Sequence, residues 1–119
     1  MNSQTTERRR RQRLPVDLPV RLHLPGGAVA AAKMINLSAS GAGILHPEPV
    51  ASGTAVELQF SVRLEHASRE IKTKGIVRHN AVATVTHGRS EERYYVIGIE
   101  FLSPRQEDAM VIEAYLGAV

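Results

Sequence analysis

The sequence predicts a mainly-β domain, a small antiparallel barrel closed by one C-terminal helix. Three observations predict it. Short segments alternate apolar and polar residues with the period of a half-buried strand. Gly- and Pro-rich turn signals separate those segments at short spacing. The last fifteen or so residues abandon that period for a helical one.

Val16, Leu18, Val20, Leu22 and Leu24 alternate with Asp17, Pro19, Arg21 and His23, which makes the first strand. Pro19 cannot donate to a ladder, so this strand is expected to have a free side there. Pro25-Gly26-Gly27 turns the chain into a second strand over 28–35, completing a hairpin. Asn36-Leu37-Ser38-Ala39-Ser40-Gly41 reads as a polar corner, after which a short strand resumes over 42–45. His46-Pro47-Glu48-Pro49 breaks the chain and Ser52-Gly53 turns it. Val56, Leu58, Phe60 and Val62 mark the next strand. Residues 71–85 form a long β-branched stretch, interrupted at Gly75 by an expected bulge or bend. Residues 87–92 read as a loop, and 94–101 as the last strand.

Ser103 is suited to cap a helix, with Pro104 at its first position and Gln106 completing a capping box. Ala109, Ile112 and Leu116, joined by Met110 and Tyr115, then recur at helical spacing over 104–116. Five to seven strands followed by one helix fit a closed barrel, which leaves no exposed sheet edge.

Length and composition narrow the function. The 119 residues suffice for one domain. With two Phe, three Tyr and no Trp, the core must be built mainly from Val, Ile, Leu and Ala. No cysteine is present, which removes disulfides, thiolate nucleophiles and cysteine-ligated metal. No membrane span or secretory signal is visible, so a cytoplasmic protein without membrane insertion is expected. The histidines, His23, His46, His66, His79 and His87, show no metal-ligand spacing, and no nucleophile–base pair emerges. The reading is therefore non-enzymatic, with neither metal nor cofactor.

The net charge is +3, but the imbalance is local. Five of the fifteen basic residues and one of the twelve acidic ones lie between Glu7 and Arg13, leaving ten basic and eleven acidic residues elsewhere. Such a segment seeks phosphate, an acidic protein or a membrane surface. By charge alone it could be a solvated tail. Arginine can also fork onto a phosphate, pair with the O6/N7 edge of guanine, or stack on a purine. The corner at 36–41 has the same ambiguity. Asn, Ser and Gly are ordinary turn residues, and Gly41 could simply supply a positive φ. Equally, Asn36 and Ser38 could present polar groups while Gly41 lets backbone N–H groups approach a ligand.

Taken in order, the segments resemble the PilZ domain family. Glu7-Arg8-Arg9-Arg10-Arg11-Gln12-Arg13-Leu14-Pro15-Val16 supplies Arg-x-x-x-Arg through Arg9 and Arg13. Asn36-Leu37-Ser38-Ala39-Ser40-Gly41-Ala42-Gly43-Ile44 supplies Asn-x-Ser-x-x-Gly. Tyr95-Val96-Ile97-Gly98-Ile99-Glu100-Phe101-Leu102 resembles the family's last strand. The resemblance implies a six-stranded antiparallel barrel of split-barrel type with a C-terminal helix, and a receptor for the second messenger cyclic di-GMP. It implies that Arg9 and Arg13 contact guanine and phosphate, with Asn36, Ser38 and Gly41 as the opposing wall. Arg8 precedes the first motif arginine, a position the family associates with two intercalated ligand molecules. Arg8 and Arg10 therefore join the expected site. Arg78 lies near where relatives offer a stacking side chain, although a solvated barrel face would also explain it.

The expected organisation is a flexible basic segment over 1–13 and a barrel domain over 14–119. Ligand would order the segment over the barrel and alter a surface read by an unidentified downstream protein. Two alternatives remain: a nucleotide-independent PilZ-type adaptor, and a nonspecific nucleic-acid binder using the basic tail. The second would want stacking aromatics on the barrel face, which this composition scarcely provides, so no DNA or RNA partner is expected.

Overall fold

The computed structural model describes residues 13–118. Six strands run β1 (Leu14–His23), β2 (Val29–Leu37), β3 (Gly41–His46), β4 (Ala55–Leu64), β5 (Ala67–His87) and β6 (Ser90–Phe101). A C-terminal helix, α1 (Gln106–Ala118), completes the chain's fold. All neighbouring strands are antiparallel, and they close into a ring in the order β1-β2-β3-β6-β5-β4. The fold class is as the sequence predicts.

The alternation read from the sequence builds the interior. Val20 and Leu22 of β1, Leu58, Phe60 and Val62 of β4, and Ile97 and Ile99 of β6 are all buried in one core. α1 inserts Ile112 into that core and packs Val111, Tyr115 and Leu116 against it. Each such side chain contributes about 1.5–3 kcal/mol by leaving water. Pro19 pairs with Lys33 of β2, whereas the β1–β4 pairing begins only at Val20. The proline thus sits where its missing N–H removes no bond to β4.

Four expectations are corrected. Gly75 interrupts nothing: it pairs in register with both Val56 and Phe101. A Cβ there would meet the Ile99 side chain at 2.5 Å, so Gly75 allows close packing. The irregularity in β5 falls instead between Val77 and His79. Residues 87–92 are not a loop. His87 pairs with Ser90 across a tight turn, and β5 and β6 continue as a two-stranded ribbon beyond the barrel. Its residues are largely exposed on both faces, so polar composition does not mark its boundary.

Ser103 does not cap the helix. Its backbone lies at φ 44°, and the first helical bond runs from Ala109 N–H to the Arg105 carbonyl. The helix begins at Gln106, with Glu107 and Asp108 in its first turn, where carboxylates oppose the helix dipole favourably. The buried Asp108 accepts a hydrogen bond from Arg105 Nε at 3.2 Å. Finally, Met110 is 62% exposed and does not belong to the packed face.

Three register shifts distinguish the β1-β2-β3 and β5–β6 pairings. Between Pro15 and Leu18, β1 carries one residue more than β2; between Met34 and Asn36, β2 carries one more than β3. Between Val77 and His79, β5 carries one more than β6, the extra residue being Arg78. All three lie at one level of the barrel.

Candidate functional site

An extra residue in a strand reverses the facing of the residues beyond it. Met34 is fully buried opposite Ile44, so regular alternation would aim Asn36 inward as well. The extra residue at 35 turns Asn36 outward, opposite Gly43. The same device acts in β5. Val77 is buried opposite Ile99, and the bulge at Arg78 turns His79 outward, opposite Gly98. Gly43 and Gly98 are themselves partners across β3 and β6. One outer row therefore reads Pro15, Asn36, Gly43, Gly98, His79 across five strands.

Each glycine in that row is covered by its neighbour. A Cβ on Gly43 would meet Asn36 Nδ2 at 2.5 Å and Oδ1 at 2.6 Å. A Cβ on Gly98 would collide with the His79 imidazole. Asn36 Oδ1 is buried and has no hydrogen-bond partner among the described residues. An unmet buried acceptor is costly, on the order of 1–3 kcal/mol, and rare enough in native structures to require a cause.

One step along the barrel lies the second part of the site. Arg13 precedes β1, whose Leu14 pairs with Leu37. Its Nη2 lies 3.3 Å from where a Cβ of Gly41 would stand. Arg13 is half-buried, and burial alone lowers its pKa from the ordinary arginine value. It stays a cation, as arginine does in proteins. No acidic partner faces it among the described residues.

The corner between β2 and β3 is held from inside. Ser38 is fully buried, and its Oγ accepts from Gly41 N–H at 3.1 Å and Ser40 N–H at 3.2 Å. Ser38 N–H donates in turn to the Gly41 carbonyl at 2.8 Å. Ser38 thus shapes the corner, and the Gly41 N–H is already engaged. Gly41 is not among the residues at positive φ; it is glycine because the Ile99 carbonyl occupies the space of a Cβ.

Arg78 reaches the same face. Its Nη2 lies 3.1 Å from Glu100 Oε2, and Glu100 pairs with Gly41. The bulge is anchored by Ser52, whose Oγ donates to the Arg78 carbonyl at 2.9 Å. Asn80 then clasps the β3–β4 connection, donating to the Val50 carbonyl at 2.7 Å and accepting from Val50 N–H at 3.0 Å.

The structure thus brings together Arg13, Asn36, Ser38, Gly41 and Arg78. Arg8, Arg9 and Arg10 lie outside the described residues. Sequence reasoning missed Gly43, Gly98 and His79 as parts of this face. A lone glycine inside an apolar strand, as in Ile97-Gly98-Ile99, was the available signal. Among the described residues no group of three His, Asp or Glu side chains is placed to hold a metal, and no helix is long and apolar enough to cross a membrane.

A closed six-strand ring with a C-terminal helix and a polar, arginine-bearing outer corner defines a class of small β-barrel domain. The PilZ domain model matches residues 7–118, and the chain belongs to that family. It is 36% identical over 63 residues to the cellulose synthase catalytic subunit [UDP-forming] of Xanthomonas axonopodis pv. citri (strain 306), a stretch covering 51% of this chain and 9% of that protein. It superposes on the PilZ domain of YcgR from Escherichia coli, solved with c-di-GMP, at a TM-score of 0.72 and 12% identity, covering 92% of this chain and 90% of that one. The MrkH–c-di-GMP complex of K. pneumonia gives a TM-score of 0.67 at 22% identity, covering 91% and 51%. The chain thus spans about half of MrkH and a small part of the synthase.

Proposed function

We propose that this domain is a non-catalytic cyclic di-GMP receptor, and that the outer corner built from Arg13, Asn36, Ser38 and Gly41 is its ligand site. One observation carries the reading. A half-buried cation without an acidic partner and a buried acceptor without a donor stand on the same outer face. A ligand with two phosphates and two guanines supplies what both lack, acceptor oxygens for Arg13 and ring N–H groups for Asn36. Membership of the PilZ family and the c-di-GMP complexes of YcgR and MrkH support the choice of ligand.

In this reading Arg9 joins Arg13 from the basic segment, and Arg8 and Arg10 add contacts that accommodate two intercalated ligand molecules. Arg78 closes the far side. Its guanidinium is already paired with Glu100, so it contacts ligand while retaining that partner. Ser38 acts indirectly, by fixing the corner. The arginines of residues 1–13 repel one another until ligand phosphates neutralise them, and the segment then folds over the barrel. The new surface is read by a downstream protein in the cytoplasm. Each bidentate arginine–guanine pair contributes about 1–3 kcal/mol of discrimination, so two or three give submicromolar affinity.

Calorimetric titration with cyclic di-GMP tests this. The expected result is submicromolar binding at two ligand molecules per chain, weakened by Arg13→Ala and by Ser38→Ala. Absence of heat at high micromolar ligand, or unchanged affinity in both variants, would overturn it.

A further inference from the structure

We infer that the outer edge of β5 over residues 81–87 docks a second copy of this chain, the two edges pairing antiparallel about a two-fold axis at Thr84. The inference is independent of the receptor reading above. Closure removes free edges from the ring, and the β5–β6 ribbon beyond it brings them back. β4 leaves β5 at Ile76. The β3–β4 connection then covers β5, with Gly53 N–H donating to the Val77 carbonyl at 2.7 Å and Asn80 holding Val50. Past Asn80, no strand among the described residues pairs with β5 on the side away from β6. β3 leaves β6 at the His46–Tyr95 pair, so Ser90 to Tyr94 is uncovered as well. The two uncovered edges are guarded differently. β6 carries Glu91, Glu92 and Arg93, charges of the kind that keep an edge from pairing. β5 carries Ala81-Val82-Ala83-Thr84-Val85-Thr86-His87, without Asp, Glu, Lys, Arg or Pro, and its pairing with β6 is regular there. Val82, Thr84, Val85 and Thr86 are β-branched and suit a strand.

Charge and closure select the occupant. A two-stranded ribbon exposed on both faces is marginal in water and gains from further strands. Val82 on this ribbon is 64% exposed. A two-fold axis at Thr84 sets Val82 opposite Thr86 of the other copy, and Ala83 opposite its Val85. Within one chain Ala83 pairs with Tyr94 and Val85 with Glu92, and the Tyr94 hydroxyl donates to Glu92 Oε2 at 2.8 Å. These four residues share one face, so the pairing gathers Ala83 and Val85 of both copies into a strip between two Tyr94 rings. The paired segments carry no Asp, Glu, Lys or Arg, so no such charge meets its like across the axis. The resulting four-stranded sheet runs β6-β5-β5-β6, and both of its outer edges carry Glu91, Glu92 and Arg93. Assembly therefore stops at two chains. A strand from another protein would cover β5 and leave its own far edge open. Seven residues span about 23 Å of strand, and the contact falls below the roughly 1,200 Å² of a stable interface. The dimer is accordingly reversible, with a dissociation constant on the order of tens of micromolar.

The experiment is sedimentation equilibrium on the full chain without added ligand, from about 10 μM to about 1 mM, a range that brackets the expected constant. The unaltered chain is expected to fit a monomer–dimer equilibrium. Thr84→Lys and Thr84→Glu each place like charges directly opposite at the axis, and each alone should dimerise about tenfold more weakly. Their equimolar mixture places Lys against Glu and should return to within about threefold of the unaltered constant. Ser90→Lys adds a charge to the ribbon on β6 instead, and should stay within about twofold. Thr84 is exposed and lies outside the core, so these variants keep the barrel, which circular dichroism verifies. An unaltered chain that stays monomeric throughout overturns the inference, whether the edge serves a strand of another protein or nothing, and this result needs no variant. Species larger than a dimer overturn it too, because the charged outer edges should end the assembly. So does undiminished dimerisation in both Thr84 variants, or a loss in Ser90→Lys equal to that in Thr84→Lys. A mixture that stays as weak as its components removes the two-fold pairing at Thr84.

Discussion

The β4–β5 wall and the β2-β3-β6-β5 face use the strands of one barrel in opposite ways. From Ala55 to Leu64, β4 pairs residue for residue with β5 over ten unbroken partners. Its inward side chains, Val56, Leu58, Phe60 and Val62, are buried without exception. The other face, with the start of β1 beside it, breaks register at three places and contains two glycines in adjacent partners. The regular wall holds the ring together, and the irregular face spends some of that stability on aiming side chains outward. β5 belongs to both. It is regular up to Val77 and altered by a single residue beyond it.

That contrast can be broken experimentally. The largest effect should come from the regular wall. Leu58→Ala, at a fully buried position between Thr73 and Leu22, is expected to lower unfolding free energy by about 2–5 kcal/mol in urea denaturation, while ligand affinity of the folded fraction holds. Ser38→Ala should be intermediate and should affect both properties. It strands the N–H groups of Ser40 and Gly41, at a cost of about 1–3 kcal/mol, and it loosens the corner beside Arg13. Asn36→Ala should be smallest in stability and opposite in sign. Removing an unmet buried acceptor is expected to raise the denaturation midpoint by up to about 1 kcal/mol equivalent, while calorimetry shows weaker ligand binding. A loss of stability in Asn36→Ala would show that its oxygen has a partner in the free protein and would erase the contrast.

The regular wall was legible in the sequence because its period is simple. Val56 to Val62 alternate cleanly, as do Val20 and Leu22 in the adjoining stretch of β1, and burial tracks the alternation. The irregular face was legible only in part. Arg13, Asn36, Ser38 and Gly41 stood out through residue type and spacing. The bulges did not, because Ile35 and Arg78 are ordinary residues for a strand, and an insertion of one leaves no compositional trace. Gly75 attracted the bulge assignment that belonged to Arg78, since glycine in a strand signals either irregularity or close packing. His79 was invisible for a related reason. Its position depends on counting from Val77 through the bulge and then across to Gly98, and neither step is local. Ser103 was misassigned because its sequence fits a capping box while its left-handed backbone does not.

The closed ring gives those counts a further meaning. In an open sheet, a strand can slip by one residue and leave only its free edge altered. In a ring, every strand has two partners, so a slip at one seam must be matched all the way around. The span from Asn36 to His79 is therefore fixed by how many residues each strand contributes to the circuit, as the pitch of a gear is fixed by its teeth. Side chains on this face can be exchanged while the span persists. One residue added to or removed from β2 or β5 would turn Asn36 or His79 to the wrong side of the wall, with its chemistry unchanged.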